Sequence, residues 1–156
     1  VPSRNFGNPV GQGRNAFELL ANDVIRDNGD LMRDVSVWYK NHMSGWELGL
    51  VQRGDQFSVV LKHPDHAANQ PVNIVDTGAG IAQVLPLVVQ RFIKGKPKTG
   101  VLEIVEQPEL HLHPAAHAAI ADLYIHASKQ GANQFLIETH SEVFLLRTQY
   151  HVAKGD

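Results

Sequence analysis

The spacing of apolar residues along the chain changes period twice, near Trp46 and near Pro71. In "RNAFELLANDVIRD", Phe17, Leu20, Val24 and Ile25 recur at helical spacing and stop at Asn28-Gly29, a left-handed C-cap signal. A second helix is expected over 30–42, ending at Ser44-Gly45. From Trp46 the pattern alternates: "WELGLVQ" and "QFSVVLKH", joined by Arg53-Gly54-Asp55, predict a β-hairpin. The Arg-Gly-Asp triplet is read as its tight turn rather than as an integrin-binding signal. "HPDHAANQP" then reads as a loop. Beyond it the order is strand "VNIVD", a helix over 80–92, loop "KGKPKTG", strand "VLEIVE", a helix over 114–129, strand "NQFLIET" and a helix from Ser141 onward.

Strands that alternate with helices predict an α/β fold whose sheet is mainly parallel and built from right-handed crossovers. An N-terminal helical segment and a β-hairpin precede that part, which divides the chain at 1–70 and 71–156. Ligands of open parallel sheets sit beyond the carboxyl ends of the strands. Those ends are expected to carry Asp76-Thr77-Gly78, Glu106-Gln107 and Thr139-His140 along one edge.

Each of these ends has a chemical reading and a plainer one. Gly78 and Gly80 in "VDTGAGIAQVLPLVVQ" permit a sharp turn that brings backbone N–H groups and a helix N-terminus to an anion; alone, they are more simply a strand-to-helix turn. Gln83 stands where a dinucleotide fingerprint wants a third glycine, so that fingerprint is weak. Glu106, leaving an apolar strand, suits the water shell of Mg²⁺, which prefers oxygen ligands. Gln107 is able to orient an attacking water but has no useful basicity, and Glu109 is the nearest carboxylate that would substitute. For Glu103, inside the same strand, a solvated carboxylate or a buried ion pair is the better reading. His140 is placed to donate a hydrogen bond to a terminal phosphate. His111, His113 and His117 offer a zinc alternative, against which Pro114 and the following helix argue for a turn. His42, His63, His66, His126 and His151 read as ordinary surface or loop positions.

Composition adds limits. The 156 residues are 43% hydrophobic and 19% charged with a net charge of -2, a globular balance without a strong electrostatic footprint for nucleic acid. Cysteine is absent, so disulfides and thiolate metal sites are excluded, and a cytoplasmic location is expected. No apolar run approaches the roughly 20 residues that span a bilayer, so no membrane partner is expected.

The order "VDTGAGIAQVLPLVVQ", "VLEIVEQPELHLHP", "FLIETHSEVFLLR" resembles the C-terminal half of an ABC-type ATPase head, a P-loop NTPase-like lobe. It is similar in particular to bacterial AAA-family ATPases of the OLD/RecF-like group. The resemblance covers residues 71–147. It implies a signature segment over 76–83, with Asp76, Thr77, Gly78, Gly80 and Gln83 facing nucleotide. It further implies a Walker B strand ending at Glu106, Gln107 at the catalytic-glutamate position, a D-loop at Leu112-His113 and a switch histidine at His140. The implied cofactors are ATP and Mg²⁺, held between two heads in a head-to-tail homodimer beside a nuclease or other effector, with DNA a possible partner. Asp76, Thr77 and Ala82 are the candidates for the signature serine, and glutamine replaces the usual glutamate at Gln107. No G-x-x-x-x-G-K-[ST] occurs in the sequence. The chain is therefore expected to be a fragment of a longer protein, inactive alone, with that loop before Val1. The rival expectations are an ATP-gated interaction module with negligible turnover and a zinc hydrolase.

Overall fold

The computed structural model describes residues 16–54, 56–65, 70–93, 102–130 and 133–155. Asp55 of the hairpin turn, His66, the 94–100 loop, Val101 and the 1–15 opening lie outside them. The chain divides into two units, Val1–Thr77 and Gly78–Asp156.

The first unit is built from helices α1 (Ala16–Arg26) and α2 (Asp30–His42) and strands β1 (Glu47–Arg53), β2 (Gln56–Lys62) and β3 (Val72–Asn73). The αL residue Gly29 separates the helices, as Asn28-Gly29 foretells: its N–H reaches back to Asp23 O at 3.1 Å. The Asp23 carboxylate then accepts from Met32 N at 2.8 Å, satisfying a donor in the first turn of α2. The chain turns away from α2 through Ser44 and Gly45, both at positive φ. Its Ser36 hydroxyl accepts from Leu48 N at 2.9 Å and so ties α2 to β1. Leu20, Val35, Tyr39, Leu61 and Ile74 fill the core of this unit.

One strand expected in the parallel sheet belongs here instead. Only Val72 and Asn73 of "VNIVD" are extended, and they pair antiparallel with β2, Val60 opposite Asn73. The Asn73 side chain accepts from Val75 N at 3.2 Å and starts a 3₁₀ turn, Ile74–Asp76. An asparagine that bonds its own backbone two residues on competes with the ladder, which ends the strand early.

The second unit contains α3 (Ala79–Phe92), β4 (Leu102–Glu106), α4 (Pro114–Lys129), β5 (Gln134–Glu138) and α5 (Glu142–Lys154). Strands β4 and β5 pair in parallel through Leu102 with Gln134 and Glu106 with Glu138, and helix α4 forms the crossover. Alternation along the strands splits the pair into two faces. One face carries Glu103, Val105, Phe135 and Ile137. The other leaves Leu102, Ile104 and Leu136 exposed at 61%, 64% and 60%. Against the first face, Glu103 forms an ion pair with Arg91 of α3, both side chains nearly buried. The Arg91 guanidinium lies 5.0 Å from the Tyr124 ring centre and 4.8 Å from that of Phe135, so aromatic faces replace part of its lost hydration. This pair is the buried option foreseen for Glu103. Val84, Leu85, Val88 and Val89 of α3, Ile120 and Ala121 of α4 and Phe144 of α5 complete the core. Among the described residues no helix is long and apolar enough to cross a membrane.

Helices α4 and α5 are joined by Asp122. It accepts from Arg147 Nε at 2.7 Å and Nη2 at 2.9 Å, a two-pronged pairing, and His151 Nε2 lies 2.8 Å from the same carboxylate. His151 is thus a buried tie between helices rather than an ordinary surface position, because its spacing on α5 turns it toward α4. Burial works to raise the Asp122 carboxyl, but the hydrogen bonds and charges of Arg147 and His151 together outweigh it and hold the group below its ordinary value.

A carboxyl lowered in the folded state adds stability above its unfolded pKa, and that stability is lost as pH falls through the folded value. The wild-type unfolding temperature is therefore expected to fall more steeply than that of Asp122→Asn between about pH 5 and about pH 3. Near neutral pH the variant is expected to be less stable by about 1 kcal/mol, since the pair is partly solvated. Thermal unfolding across this range checks it, and parallel pH profiles contradict it.

Candidate functional site at the carboxyl ends of the parallel strands

The register that pairs Glu106 with Glu138 sets both strand tips at one level. Both residues are exposed, and laterally paired residues of a sheet share a face. The chain leaves β4 through Gln107, whose N–H donates to Glu138 O at 2.8 Å and adds one more rung beyond the strand. Gln107 itself has φ 45, a left-handed conformation uncommon for glutamine and typical of residues held by their surroundings at a site.

A tight turn follows. Leu110 N donates to Gln107 O and Leu112 N to Glu109 O, each at 3.0 Å. His111, at φ 64, bends this turn toward α3. There Gly80 meets it: a Cβ on Gly80 would stand 2.2 Å from His111 O and 2.8 Å from His111 C. Only glycine admits that approach. Gly78, with φ 112, begins α3 in a conformation that also favours glycine, and its surroundings are open.

The other side of the turn is fastened to the segment after β5. Glu109 is only 6% exposed, and its Oε1 accepts from Thr139 Oγ1 at 2.6 Å and from His140 N at 3.1 Å. The second oxygen, Oε2, is buried and has no hydrogen-bond partner among the described residues. Thr139 Oγ1 in turn accepts from Ser141 N at 3.1 Å. Ser141 caps α5 by accepting from Phe144 N at 3.1 Å, and its hydroxyl lies 2.7 Å from His117 Nδ1. The far nitrogen of that ring, Nε2, lies 3.2 Å from Leu112 O. A carbonyl only accepts, so Nε2 carries a proton, and in the neutral ring Nδ1 accepts from the serine hydroxyl. His140 projects from this frame with its side chain 77% exposed, and its Nε2 stands 3.9 Å from Glu138 Oε1.

Of the residues singled out in the sequence, Glu106, Gln107, Glu109 and His140 are thus gathered around the tips of β4 and β5. Gly80 packs on the turn between them, and Gln83 is exposed on α3. Asp76 and Thr77 belong to the first unit, where Thr77 Oγ1 donates to Ile74 O at 2.7 Å. Consequently Asp76-Thr77-Gly78 is not the end of a third parallel strand. His113 does not lie on a strand either: its Nδ1 accepts from Ala115 N at 3.2 Å as the N-cap of α4.

The zinc alternative fails on the same contacts. His117 engages both ring nitrogens, His113 caps a helix, and among the described residues no group of three His, Asp or Glu side chains converges on a point that would hold a metal ion. Sequence reasoning passed over Glu138, named Thr139 only as a strand end and Ser141 only as the start of a helix, and read His117 only as a possible ligand. Their spacing, "ETHSE" after an apolar run, was a usable signal for a strand end followed by an N-cap.

A sequence family described as the AAA ATPase domain matches residues 17–145. No curated protein matches the chain. Its fold is similar to that of an SMC ATPase described for ATP-driven dimerization and DNA-stimulated activation, with TM-score 0.59 and 19% identity over 81% of this chain and 76% of that one. It is also similar to an Smc head bound to the C-winged helix domain of ScpA, with TM-score 0.57 and 19% identity, covering 75% of this chain and 36% of that one. A third likeness is an Smc head with an extended coiled coil bound to the C-terminal domain of ScpA, derived from Pyrococcus furiosus, with TM-score 0.57 and 18% identity over 81% and 32%. The chain spans about a third of the length of these two Smc heads. At such identities the likeness establishes the fold, that of a P-loop NTPase head.

The approach of Gly80 to His111 makes a direct test of the site's framework. Gly80→Ala forces a methyl against a backbone carbonyl and is expected to lower stability by about 1–3 kcal/mol. Denaturant unfolding measures it; a neutral substitution would show that α3 does not rest on this turn.

Proposed function

The chain belongs to the AAA ATPase domain family, and from that membership we propose that it forms the C-terminal part of an ABC-type ATPase. In this reading the protein binds and hydrolyses ATP with Mg²⁺ at a head-to-tail dimer interface and thereby switches an effector. The observation that carries it is the level pairing of Glu106 with Glu138 at two parallel strand tips, with His140 beside them. Exposed carboxylates on one face suit Mg²⁺, a hard cation that keeps several waters and takes oxygen ligands.

Glu106 holds the metal's water shell, and Glu138 adds a second acceptor to it. Gln107 orients the attacking water through its amide. His140 donates to the terminal phosphate. When bound, Mg²⁺ supplies charge neutralisation at the phosphates, and most of the rate comes from fixed dipoles and charges of this kind. Gly78, Gly80 and Gln83, with Asp76 or Thr77, form the signature segment that closes on nucleotide held by the opposite head. Leu112 and His113 form the loop that touches that head. The exposed apolar face of β4 and β5 supports a covering layer supplied by the rest of a longer protein, which in this reading also bears the phosphate loop and without which the 156 residues would be inactive. A cytoplasmic protein of the OLD/RecF-like group, working beside a nuclease or on DNA, fits this arrangement.

Gln107 favours a second reading, an ATP-gated interaction module with negligible turnover. Glutamine is unable to take a proton from the attacking water, and general-base catalysis contributes about 10²–10⁴-fold in typical enzymes.

In the intact protein, Glu106→Ala combined with His140→Ala is expected to abolish Mg²⁺-dependent ATP binding and turnover; unchanged binding contradicts the assignment. Gln107→Glu separates the two readings in a single-turnover assay. A gain of about 10²-fold or more identifies the native glutamine as a restraint on hydrolysis, which supports the gated module. A loss or no change shows that the glutamine serves the ATPase as it stands.

A further inference from the structure

We infer that Glu109 is a positioning residue that sets the place of His140, rather than a substitute base for Gln107. Its role in turnover rests on the ATPase reading above; its role as a latch does not.

The geometry carries this. A base must present a free lone pair to water, yet Glu109 is 94% buried, and the oxygen that makes contacts, Oε1, already accepts from the Thr139 hydroxyl and the His140 N–H. Two hydrogen bonds converge here on one carboxylate oxygen. They join the turn after β4 to the segment after β5 across 30 and 31 positions of sequence. His117 makes a second strut between the same two segments, from Leu112 O to Ser141 Oγ. The His140 side chain therefore swings from a backbone pinned on both sides of its Cα, by Glu109 at its own N–H and by the Ser141 cap after it. Oε2 is buried with no partner among the described residues, an arrangement that costs stability and persists where a side chain serves a site. A displacement of the turn at 107–113 is passed directly to the imidazole.

The test compares Glu109→Gln with Glu109→Ala in the intact protein labelled with ¹⁵N-histidine. The glutamine carbonyl still accepts from both donors, whereas alanine accepts from neither. Amide exchange at His140 is expected to quicken about tenfold or more in Glu109→Ala and to stay near wild type in Glu109→Gln, with His117 and His126 in α4 unchanged in both. ATP turnover should fall in Glu109→Ala and be restored in Glu109→Gln. Unchanged His140 exchange in Glu109→Ala overturns the latch. Equal loss of turnover in both variants, with His140 exchange intact in Glu109→Gln, makes Glu109 a base and overturns the inference too. If the wild type hydrolyses no ATP, the ATPase reading falls while the exchange measurement still decides the latch. Should Glu109→Ala fail to fold, Glu109→Asp, one methylene shorter, replaces it: faster exchange at His140 supports the inference and an unchanged rate overturns it.

Discussion

The parallel register between β4 and β5 is the constraint from which the rest of the second unit follows. Parallel neighbours require a crossover, and α4 supplies it. Because the side-chain period of a strand is two, a slip of one residue would turn Glu106 or Glu138 to the helix-covered face and expose Val105 or Ile137 in its place. The register is held on that face by apolar packing and by the Arg91 to Glu103 ion pair under the Tyr124 and Phe135 rings. A buried pair of this kind adds little net stability, but losing one partner costs about 3–5 kcal/mol. Its effect is therefore to penalise any other arrangement of β4 against α3.

Above that register some polar residues form a frame and the groups proposed to meet nucleotide stand outside it. Glu109, Thr139, Ser141 and His117 are mutually hydrogen-bonded and mostly turned inward. Glu106, Glu138 and His140 remain exposed. This division suits a site that acts by electrostatics, since donors and acceptors fixed in advance need no reorganisation when charge develops. The close approach of Gly80 to His111 extends the frame to the N-terminal end of α3, so the glycine-rich elbow, the acidic strand tip and the histidine segment share one set of contacts.

Much of this was legible in the sequence, for reasons that are local. Helix α2 and helix α4 have the bounds that periodicity and caps foretell, because Gly29, Ser44-Gly45 and His113-Pro114 act on the backbone within a few residues of themselves. Strands β4 and β5 were readable as apolar runs between helices. For the short strand β3 the length and pairing were not, because an asparagine side chain decided locally between ladder and turn, and its antiparallel partner lies in the hairpin. The place of Glu109 was also hidden. Its partners are about thirty residues away, and nothing in "EQPEL" separates a carboxylate that meets water from one that latches a backbone. The motif order that resembles an ATPase head named Glu106 and His140; only the coordinates bring Glu138 beside them.

The central claim is that the tips of β4 and β5 face a metal-bound nucleotide. Paramagnetic broadening of backbone amides in the intact protein, with Mn²⁺ in place of Mg²⁺ beside ATP, tests this most directly. The account predicts that within this chain the broadening peaks at Glu106, Gln107 and residues 138–140 and leaves Asp122 and Arg147 sharp. Broadening centred on α4 and α5, or none that depends on ATP, would contradict it.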